Sequence, residues 1–452
     1  MALSNPSSTF SADISNFIQK KVQPLVQRQL IAYAFGDKLR LPKNRGTTYT
    51  ASRYDRIPLP FAPLNEGQPS AGEALALVQV SATAQQWGDQ VTISDIGEMT
   101  IEHDLFKVAI GLVAMQQGET VERNTFIALM GGTQINYVNS RGSRASLVAG
   151  DVLNPHEVNR AVGALRQIGA PEYLGQMEED AKVVAGKPSK SSSSPAGHSH
   201  YVAMISPLVE QDMRENSTVV TAWSYSDINR LYNNELGEWG GVRFCRSNMM
   251  PTFSGAALVT ASAVTSGGTF ADATYYFIVT EVDPITQYET IIHQVSTGIV
   301  MSGGSGAGSF TMTAPTTTNG KTVNVYVGTS AVTVNHLALT VSGPTTGPLA
   351  GQSVQIPSAT ALTLTGTGLA QVPPAAPATG VTVFPTFIVG RNAYGIVALD
   401  DVKFFYLKDA DKIDPQNQLR IVSWKMMYGT ILLNQNFFMR IESSSAFSAT
   451  FG

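Results

Sequence analysis

The chain has 452 residues, enough for two or three domains, and its hydrophobic share of 43% allows a sizeable buried core. Only 14% of the residues are charged, and the net charge is −4. The single cysteine excludes an intramolecular disulfide framework. No apolar run approaches the ~18 residues that a membrane-spanning helix needs, so we expect no membrane partner. The first ten residues have neither a basic segment nor an apolar core. We therefore expect no secretory signal and a protein that folds in the cytoplasm.

Residues 1–56 carry nine Lys or Arg and three Asp, which gives this segment a net charge of +6 and the remainder −10. We interpret residues 1–57 as an extended N-terminal arm with one or two short helices. Its apolar residues fall at roughly helical spacing, but Pro24 interrupts them. A basic arm on an acidic body is typical of a segment that lies on an acidic neighbour or a polyanion; a solvated arm is the alternative.

Residues 58–100 predict an extended loop that ends in a β-hairpin. A Pro- and Gly-rich stretch is followed by alternating apolar residues at 75–80 and again at Val91 and Ile93. Gly88 and Asp89 are a plausible turn, which places Trp87 near the tip. A lone two-stranded hairpin is at best marginally stable, so we expect it to dock on something else.

Residues 101–253 predict helices and strands of a compact body. Apolar residues repeat every three to four positions from Asp95 to Gly131, which indicates one long helix or two in line, with Gly118 as a weak point. Further expected elements are a helix over residues 154–168, a flexible loop over 186–200, a buried strand over 201–205 and a helix over 225–236.

The composition changes sharply between residues 254 and 380. This stretch holds 5 charged residues in 127, against 59 in the other 325. It predicts about seven short strands separated by Gly, Pro and Ser, with Asn319-Gly320 as the strongest turn signal. Regular short strands indicate a β-sandwich, and residues 381–452 resume as long strands of the host. We therefore expect residues 254–380 to be a domain inserted into another domain.

Fragments of functional motifs occur, but each has a simpler explanation. Residues 319–322 end like a phosphate-binding loop, yet Pro315 stands where that motif needs glycine. Residues 303–307 nearly spell a nucleophile elbow, but Ala307 replaces its last glycine. His156 and Glu157 begin a zinc-protease motif that Arg160 breaks, and His198 and His200 alone form at most a weak metal site. We expect no catalytic, cofactor-binding or metal site, and an enzyme is the least favoured class.

The sequence predicts an arm, a projecting hairpin and an inserted sandwich, but no reaction centre. This combination indicates a protein that contacts other copies of the same chain. Exposed arms and strand edges are a liability for a monomer and useful in a lattice, where each can cover a neighbour's edge.

The segments that carry a family resemblance are residues 90–95 (QVTISD), 201–207 (YVAMISP), 237–244 (GEWGGVRF), 383–390 (VFPTFIVG), 393–395 (AYG) and 424–429 (WKMMYG).

In this order, these segments resemble the major capsid proteins of tailed phages with the HK97-like (Hong Kong 97) fold, closest to the N-four-like lineage. The resemblance implies an α+β fold with an N-arm, extended loop, spine helix, and peripheral and axial domains. The strands at residues 275–280 and 323–327 are similar to those of immunoglobulin-like or fibronectin-type modules. An inserted all-β sandwich over residues 254–380 would then be displayed on the outer surface.

The resemblance implies a subunit that self-assembles into hexamers and pentamers of an icosahedral head around double-stranded DNA, contacted non-specifically. It implies a location in the virion after assembly in the host cytoplasm. A portal and a decoration (cement) protein are expected partners. A separate scaffolding protein is also expected, because only about 50 residues precede the hairpin. No lysine lies between Lys43 and Lys107, so the covalent cross-link known from the first phage of this fold is not available from the loop. The alternative function is a glycan-binding or adhesion protein that works through the inserted sandwich.

Overall fold

The structure is a computed structural model that describes most of the chain in separate segments. The described residues are 30–42, 44–55, 57, 59, 73–100, 105–173, 200–216, 235–255, 261–266, 269–283, 286–303, 308–313, 322–328, 336–341, 353–356, 377–378, 380–407 and 418–448. Most of the predicted arm, nearly all of the predicted loop 186–200, and the motif residues 304–307 and 319–321 lie outside them.

The described residues form five α-helices and three short 3-10 helices. The α-helices are α1 (Ala32–Phe35), α2 (Asp95–Thr100), α3 (Leu105–Met130), α4 (Pro155–Ile168) and α5 (Pro207–Glu215). The 3-10 helices are Val138–Ser140, Arg144–Ser146 and Gln435–Phe437.

Strands outnumber helices among the described residues. In chain order they are β1 (Asp37–Arg40), β2 (Thr48–Tyr54), β3 (Leu77–Thr83), β4 (Gln85–Ser94), β5 (Ile135–Tyr137), β6 (Tyr201–Ile205), β7 (Glu235–Trp239), β8 (Val242–Arg246), β9 (Phe253–Ser254), β10 (Ala261–Val264), β11 (Thr274–Val282), β12 (Glu289–Val300), β13 (Ser309–Thr313), β14 (Thr322–Gly328), β15 (His336–Val341), β16 (Ser353–Ile356), β17 (Thr382–Val389), β18 (Tyr394–Leu407), β19 (Leu419–Leu432) and β20 (Phe438–Ser443).

The chain divides into two compact units. The described part of the first contains Gln86–Gly118 and Asp400–Met427, and the second lies within Arg28–Gln85, Glu119–Leu399 and Tyr428–Gly452. In the first unit, strands of the order β18-β19-β4 accompany the N-terminal half of α3. In the second unit, β1 runs parallel to the beginning of β18.

A seven-stranded mixed sheet organises the second unit. Its order is β5-β20-β17-β6-β8-β7, and β9 also pairs with β17. Alternate residues of a strand point to opposite faces, and in β6 every residue is buried, so the sheet is covered on both sides. Helices α4 and α5 pack on one face, and the C-terminal end of α3 packs on the other. This explains why β6 is a continuous apolar run rather than an alternating one.

Helix α4 confirms the prediction over residues 154–168, because the local sequence specifies both of its ends. The side chain of Asn154 accepts a hydrogen bond from the backbone N–H of Glu157 (3.1 Å), and Pro155 occupies the first turn. Gly169 ends the helix in the left-handed conformation, with φ of 77°. Between these ends, Val158, Ala161, Val162 and Leu165 form the buried stripe.

Helix α3 is the predicted long helix, although its buried stripe is shifted in the first half. The helix passes through Gly118 without a break, and α2 precedes it across residues 101–104, which are not described. Leu112, one of the apolar residues that repeat at helical spacing, is 45% exposed. The buried positions there are Phe106, Ala109 and Val113, which share a face at spacings of three and four residues.

The described strands between residues 261 and 356 form two antiparallel sheets with one core. One sheet has the order β10-β13-β16 and the other β12-β11-β14-β15. Phe310 on β13 contacts Phe277 on β11, with ring centroids 5.0 Å apart, so the two sheets pack face to face. The flanking strands β9 and β17 pair with each other, Ser254 opposite Thr382. The likeness to an immunoglobulin-like module stays a prediction.

The predicted hairpin within residues 58–100 is wrong. Strand β3 pairs with β2, and β4 runs straight through Gly88 and Asp89 to pair with β19. Gly88 is needed for close approach rather than for a turn, because a Cβ there would lie 2.6 Å from the carbonyl oxygen of Trp424. Trp87 is therefore half-buried within a strand and not at a tip. Strand β2, which we assigned to the arm, is one strand of the ribbon, and the domain boundary at residue 57 stays a prediction.

The remaining differences are small. The helix predicted over residues 225–236 lies mostly outside the described residues, but its last two positions, Glu235 and Leu236, belong to strand β7. The predicted strand at residues 201–205 is confirmed, and residues 254–380 contain the expected series of short strands among their described residues.

Candidate assembly surfaces

The two-stranded ribbon β2–β3 has one packed face and one exposed face. The strands pair antiparallel over their full length, so alternate residues of each strand share a face. Tyr49 and Val80 lie on the half-buried face and pack on a small core that includes Val397 and Ile431. In each strand, the alternate residues, which point to the opposite face, are exposed. The ribbon is thus held on the second unit through one side only.

The end of the ribbon carries exposed apolar side chains. Tyr54, which is 67% exposed, stands directly opposite Leu77 on the outward face. The flanking described residues continue this character, because Ile57, Leu59 and Leu75 are also exposed. Large apolar residues that gather at one exposed place usually mark a contact site. The ribbon end, defined by Tyr54, Ile57, Leu59, Leu75 and Leu77, is the first candidate surface.

A charged side chain holds the ribbon close to its exposed end, and a glycine contacts it at its base. The guanidinium of Arg53, on the packed face, donates a hydrogen bond from Nη1 to Oδ1 of Asn434 over 2.6 Å. Gly429 lies close to the ribbon, since a Cβ there would be 2.7 Å from the carbonyl oxygen of Thr83. These contacts fix the direction in which the ribbon end points relative to the second unit.

The first unit has a second exposed apolar group at the far end of its strands. The backbone N–H of Asp95 donates to the carbonyl oxygen of Gln418 over 2.9 Å, which joins the end of β4 to the start of β19. Phe106 packs edge-on against Tyr406, with centroids 6.4 Å apart. The strand-end patch consists of the exposed residues Ile96, Met99, Phe404, Phe405, Tyr406, Leu407 and Leu419.

The strand-end patch is apolar on both sides of the sheet. Residues 404–407 are consecutive in β18, and consecutive strand residues point to opposite faces. A strand of a monomeric protein with one solvated face would alternate apolar and polar residues instead. Both faces therefore suit burial against other molecules.

Behind the strand-end patch, polar side chains link the elements of the first unit. Nε1 of Trp424 on β19 donates to Oε1 of Gln116 on α3 over 3.1 Å. Nε2 of the same Gln116 donates to Asp89 on β4 over 2.5 Å. Gly88, next to Asp89, lies against the backbone of Trp424. This network fixes the helix on the sheet.

Three buried charges stabilise the second unit near β20. Nε and Nη2 of Arg144 donate to the two carboxylate oxygens of Glu442 over 2.7 and 2.6 Å. Nε of Arg440 lies 3.1 Å from Glu442 Oε1, and the guanidinium of Arg144 stacks 3.9 Å above the ring of Phe253 on β9. Burial lowers the pKa of Arg440, and the charge of Glu442 opposes that shift.

The region 261–356 is attached to the rest of the second unit through Tyr288. This buried side chain belongs to the same core as Phe126 of α3, and its hydroxyl donates to the carbonyl oxygen of Met249 over 3.0 Å. Nη1 of Arg123 on α3 donates to the carbonyl oxygen of Thr286 over 3.5 Å. Together with the β9–β17 pair, these contacts hold the region at a fixed place on the second unit.

Within this region, a buried carboxylate joins three strands. Oε1 of Glu289 on β12 accepts hydrogen bonds from Thr280 on β11 (2.6 Å) and from Tyr326 (2.7 Å) and Asn324 (3.1 Å) on β14. Burial, together with the neighbouring carboxylate, raises the pKa of Tyr326. Because all three donors are strand side chains, the arrangement fixes strand order rather than forming an open site.

Two acidic residues of the region line a polar cleft. The cleft has a volume of about 230 Å³, and Glu281 and Asp283 face Asn248 and Thr252 across it. In the part of the chain that the structure describes, no group of three or more His, Cys, Asp or Glu side chains is placed to hold a metal ion. Among the same residues, no helix is long and apolar enough to cross a membrane.

The structure describes some residues of the motif fragments, and these residues lie in helices, strands and turns without forming a reaction site. His156 is exposed on α4, whereas Glu157 is buried, accepts the backbone N–H of Asn139 (3.1 Å) and pairs with Arg160 (3.2 Å). His200 is buried in a bridge with Tyr173, and His198 lies outside the described residues. Thr322 begins strand β14, and Gly303 has a positive φ of 81°.

We did not predict the ribbon strand β2 from the sequence. Its signal was present in the alternation of residues 48–54, which ends shortly before Pro58, but we assigned that stretch to the arm. The strand-end patch was also missed, although four consecutive large apolar residues at 404–407 are visible in the sequence.

Solved structures similar to this chain are phage capsids. The capsid of Ralstonia phage GP4 aligns with a TM-score of 0.49 and 11% identity over 96% of each chain. The capsid of cyanophage Pam1 aligns with a TM-score of 0.49 and 10% identity over 96% of this chain and 98% of the other. The acidic stable capsid of Helicobacter pylori bacteriophage KHP30 aligns with a TM-score of 0.48 and 8% identity over 98% of both. No family model and no curated protein matches the sequence.

Proposed function

We propose that this chain is the major capsid protein of a tailed phage and that it assembles into a closed icosahedral head of hexamers and pentamers. The observation that carries the proposal is the concentration of exposed apolar residues at the ribbon end and at the strand-end patch. Each surface lies at the end of paired strands that polar contacts hold in place, Arg53 to Asn434 for the ribbon and the Gln116 network for the first unit. Such surfaces suit repeated contact with identical neighbours.

The energetics favour many modest contacts over one large interface. Burial of apolar surface contributes roughly 25 cal/mol per Å², so a half-exposed aromatic or leucine side chain supplies about 1–2 kcal/mol when a neighbour covers it. A stable pairwise interface normally buries about 800 Å² on each partner. Two smaller apolar surfaces per subunit become strong when every subunit of a closed shell uses both, because closure makes the last contacts intramolecular.

The motif order in the sequence supports the more specific form of this proposal. The segments at residues 90–95, 201–207, 237–244, 383–390 and 424–429 resemble the N-four-like major capsid proteins with the HK97-like fold. In this scheme α3 is the spine helix, and the ribbon β2–β3 takes the place that we first assigned to residues 58–100. Residues 254–380 form an inserted immunoglobulin-like module on the outer surface.

The same proposal names the partners. The shell encloses double-stranded DNA, and the basic N-terminal segment contacts it without sequence specificity, because Lys and Arg neutralise phosphates of any sequence. A separate scaffolding protein and a portal take part in assembly in the host cytoplasm, and a decoration protein binds the finished head. The chain acts through structure and not through catalysis.

A charge placed on the ribbon end tests the proposal. The full-length wild type should form closed particles that negative-stain electron microscopy and sedimentation detect, with the phage's other head proteins co-expressed. The double variant Tyr54→Asp, Leu77→Asp should lose these particles, because two carboxylates would have to be buried at each contact. Its thermal unfolding should remain close to that of the wild type, since both side chains are exposed.

The matched control is Thr50→Asp, which adds a carboxylate to the same exposed face nearer the base of the ribbon. Particles should still form with this variant. If the wild type yields only soluble monomers under every condition, the proposed function is wrong. If the double variant assembles as well as the wild type, the ribbon end is not a contact surface.

A further inference from the structure

Helix α1 lies in a strap, residues 30–42, that crosses the second unit just after the N-terminal segment. The residue before the helix is Ile31, and its hydrocarbon side chain cannot accept a hydrogen bond. The first backbone N–H groups of a helix have no partner within the helix and need an acceptor from elsewhere. Ile31 and Ala32 are almost completely buried, so water cannot easily supply that acceptor.

The acceptor comes from the long helix α3. Oε1 of Glu122 accepts the backbone N–H groups of Ile31 (2.7 Å) and Ala32 (2.8 Å), and Oε2 accepts that of Tyr33 (3.1 Å). Glu122 has no exposed surface. One carboxylate, about ninety residues away in sequence, therefore caps the strap helix with both of its oxygens.

The carbonyl groups of the strap are held by two tyrosines. The hydroxyl of Tyr394 donates to the carbonyl oxygen of Ala32 (2.6 Å), and that of Tyr173 donates to the carbonyl oxygen of Phe35 (2.8 Å). The chain then continues into β1, which pairs in parallel with the beginning of β18. The strap is thus fixed by its backbone at successive residues, and this fixes its path.

The surroundings of Glu122 act on its pKa in opposite directions. Burial raises the pKa of Glu122, and the three backbone N–H groups and Lys38 oppose that shift. The ammonium of Lys38 lies 3.4 Å from the ring centroid of Tyr33 and bonds to the carbonyl oxygen of Tyr33. Glutamine has nearly the same size but can offer only one acceptor oxygen to three donors.

We propose that Glu122 is the positioning residue that anchors the strap and so fixes the path of residues 30–36 over the second unit. Leu30 is the first described residue and is followed at once by the three anchored N–H groups. Every copy of the chain then holds Ile31, Ala32 and Tyr33 at the same place on α3. The anchoring is a property of the single chain; its role in shell formation rests on the proposed function.

Amide hydrogen exchange tests the anchor directly in the purified full-length chain. Glu122→Met keeps a side chain of similar length without an acceptor, and exchange in a peptide covering residues 30–36 should rise about tenfold or more. Glu122→Gln should give an intermediate rise, because its oxygen can still accept but its NH₂ group faces a donor. Exchange in strand β6, which is fully buried, should not change.

The control is Glu73→Gln, the same chemical change at an exposed position, and it should leave residues 30–36 protected. If Glu122→Met leaves these residues protected, the anchor is wrong. A rise spread equally over β6 and the strap also overturns it, because that pattern means global destabilisation. A cavity effect would not distinguish Gln from the wild type, since the two side chains fill the same volume.

Particle formation tests the consequence for assembly separately. Glu122→Met should reduce closed particles severalfold in the same co-expression that gives wild-type particles. Normal particles from a variant whose strap exchanges rapidly would overturn the role in assembly, while the anchor itself would stand. Failure of the wild type to form particles would contradict the proposed function and leave the exchange result unaffected.

Discussion

Arg144 and Glu442 illustrate, at the scale of single residues, how the second unit depends on complete pairing of buried charge. Both side chains are almost without exposed surface, and they form two hydrogen bonds with each other. Taking two charges out of water has a large desolvation cost, which pairing offsets only while both partners are present. The pair is therefore much more sensitive to the loss of one partner than a surface ion pair is.

We expect Arg144→Met to lower the free energy of unfolding by about 2–4 kcal/mol, because the buried Glu442 loses two charge-assisted hydrogen bonds and keeps only Arg440 as a counter-ion. Urea unfolding followed by circular dichroism measures this change. The matched control is Arg166→Met, which breaks the more exposed pair with Glu172 and should cost at most about 1 kcal/mol. Equal losses for the two variants would contradict this prediction.

Glu122 gives a prediction about pH. Burial raises its pKa in the folded protein, whereas in the unfolded chain the carboxyl group titrates near its ordinary value. The folded state therefore binds this proton more tightly, and the contribution of Glu122 to stability decreases as pH rises through the raised pKa. We expect the unfolding free energy of the wild type, relative to Glu122→Gln, to be greater near pH 4.5 than at pH 7.

Urea unfolding of the two proteins across this pH range measures the difference, and Glu73→Gln serves as the control for general charge effects. A relative stability of the wild type that increases toward pH 7 would contradict the prediction.

The anchoring role of Glu122 could not have been predicted from the sequence. A glutamate within a helical stripe normally lies on the solvated face, and its three partners are backbone groups of a distant segment.

At the scale of secondary-structure elements, the sequence predicted well where local signals decide. Helix α4 has its cap residue, its first-turn proline and its terminal glycine within one short stretch. We did not predict the pairing of β2 with β3, because the partner of a strand is set by tertiary structure and not by local sequence. The chain between β2 and β3 is long, so their pairing has no local signal. Strands β3 and β4 follow each other directly in sequence, and for this reason we predicted an incorrect hairpin with Gly88 at its turn.

Substitutions at two glycines of the first unit distinguish a continuous strand β4 from a hairpin turn at Gly88. Gly88→Ala should cost about 1–3 kcal/mol of unfolding free energy, because the new methyl group would meet the backbone of Trp424 at 2.6 Å and push β4 from β19. Gly111→Ala on α3 has open space around it and should stabilise the helix by up to about 1 kcal/mol. Thermal unfolding of both variants measures the contrast.

A turn at Gly88 would predict a different outcome. If Gly88 were a hairpin turn in solvent, alanine there would have room, and the two variants would behave alike apart from turn strain. A destabilisation confined to Gly88→Ala therefore supports the continuous strand. Equal effects for the two substitutions would contradict it.

At the scale of the whole molecule, the region between residues 254 and 380 has the attachments of an inserted domain. The N–H of Gly255 donates to the carbonyl oxygen of Val381, and the N–H of Gly380 donates to the carbonyl oxygen of Gly255, both over 3.0 Å. Entry and exit thus lie side by side. The region's own sheets share a core that the seven-stranded sheet does not supply. Composition predicts an insertion here, because the low charge of residues 254–380 differs from that of the flanking sequence, and the insertion stays a prediction.

We expect the chain to fold when residues 256–379 are replaced by a two-residue Asn-Gly turn. Strands β9 and β17 are already antiparallel neighbours, and such a turn is a favoured connection between them. The shortened chain should lose about 1–3 kcal/mol of unfolding free energy, because Tyr288 no longer covers Met249 and Phe126. Tyr288→Phe in the full chain is the control; it keeps the ring and removes only the hydrogen bonds of the hydroxyl to the carbonyl oxygens of Met249 and Arg123. Closed particles of the shortened chain would show that the inserted region is an accessory. An unfolded product would instead make residues 254–380 an integral part of the second unit.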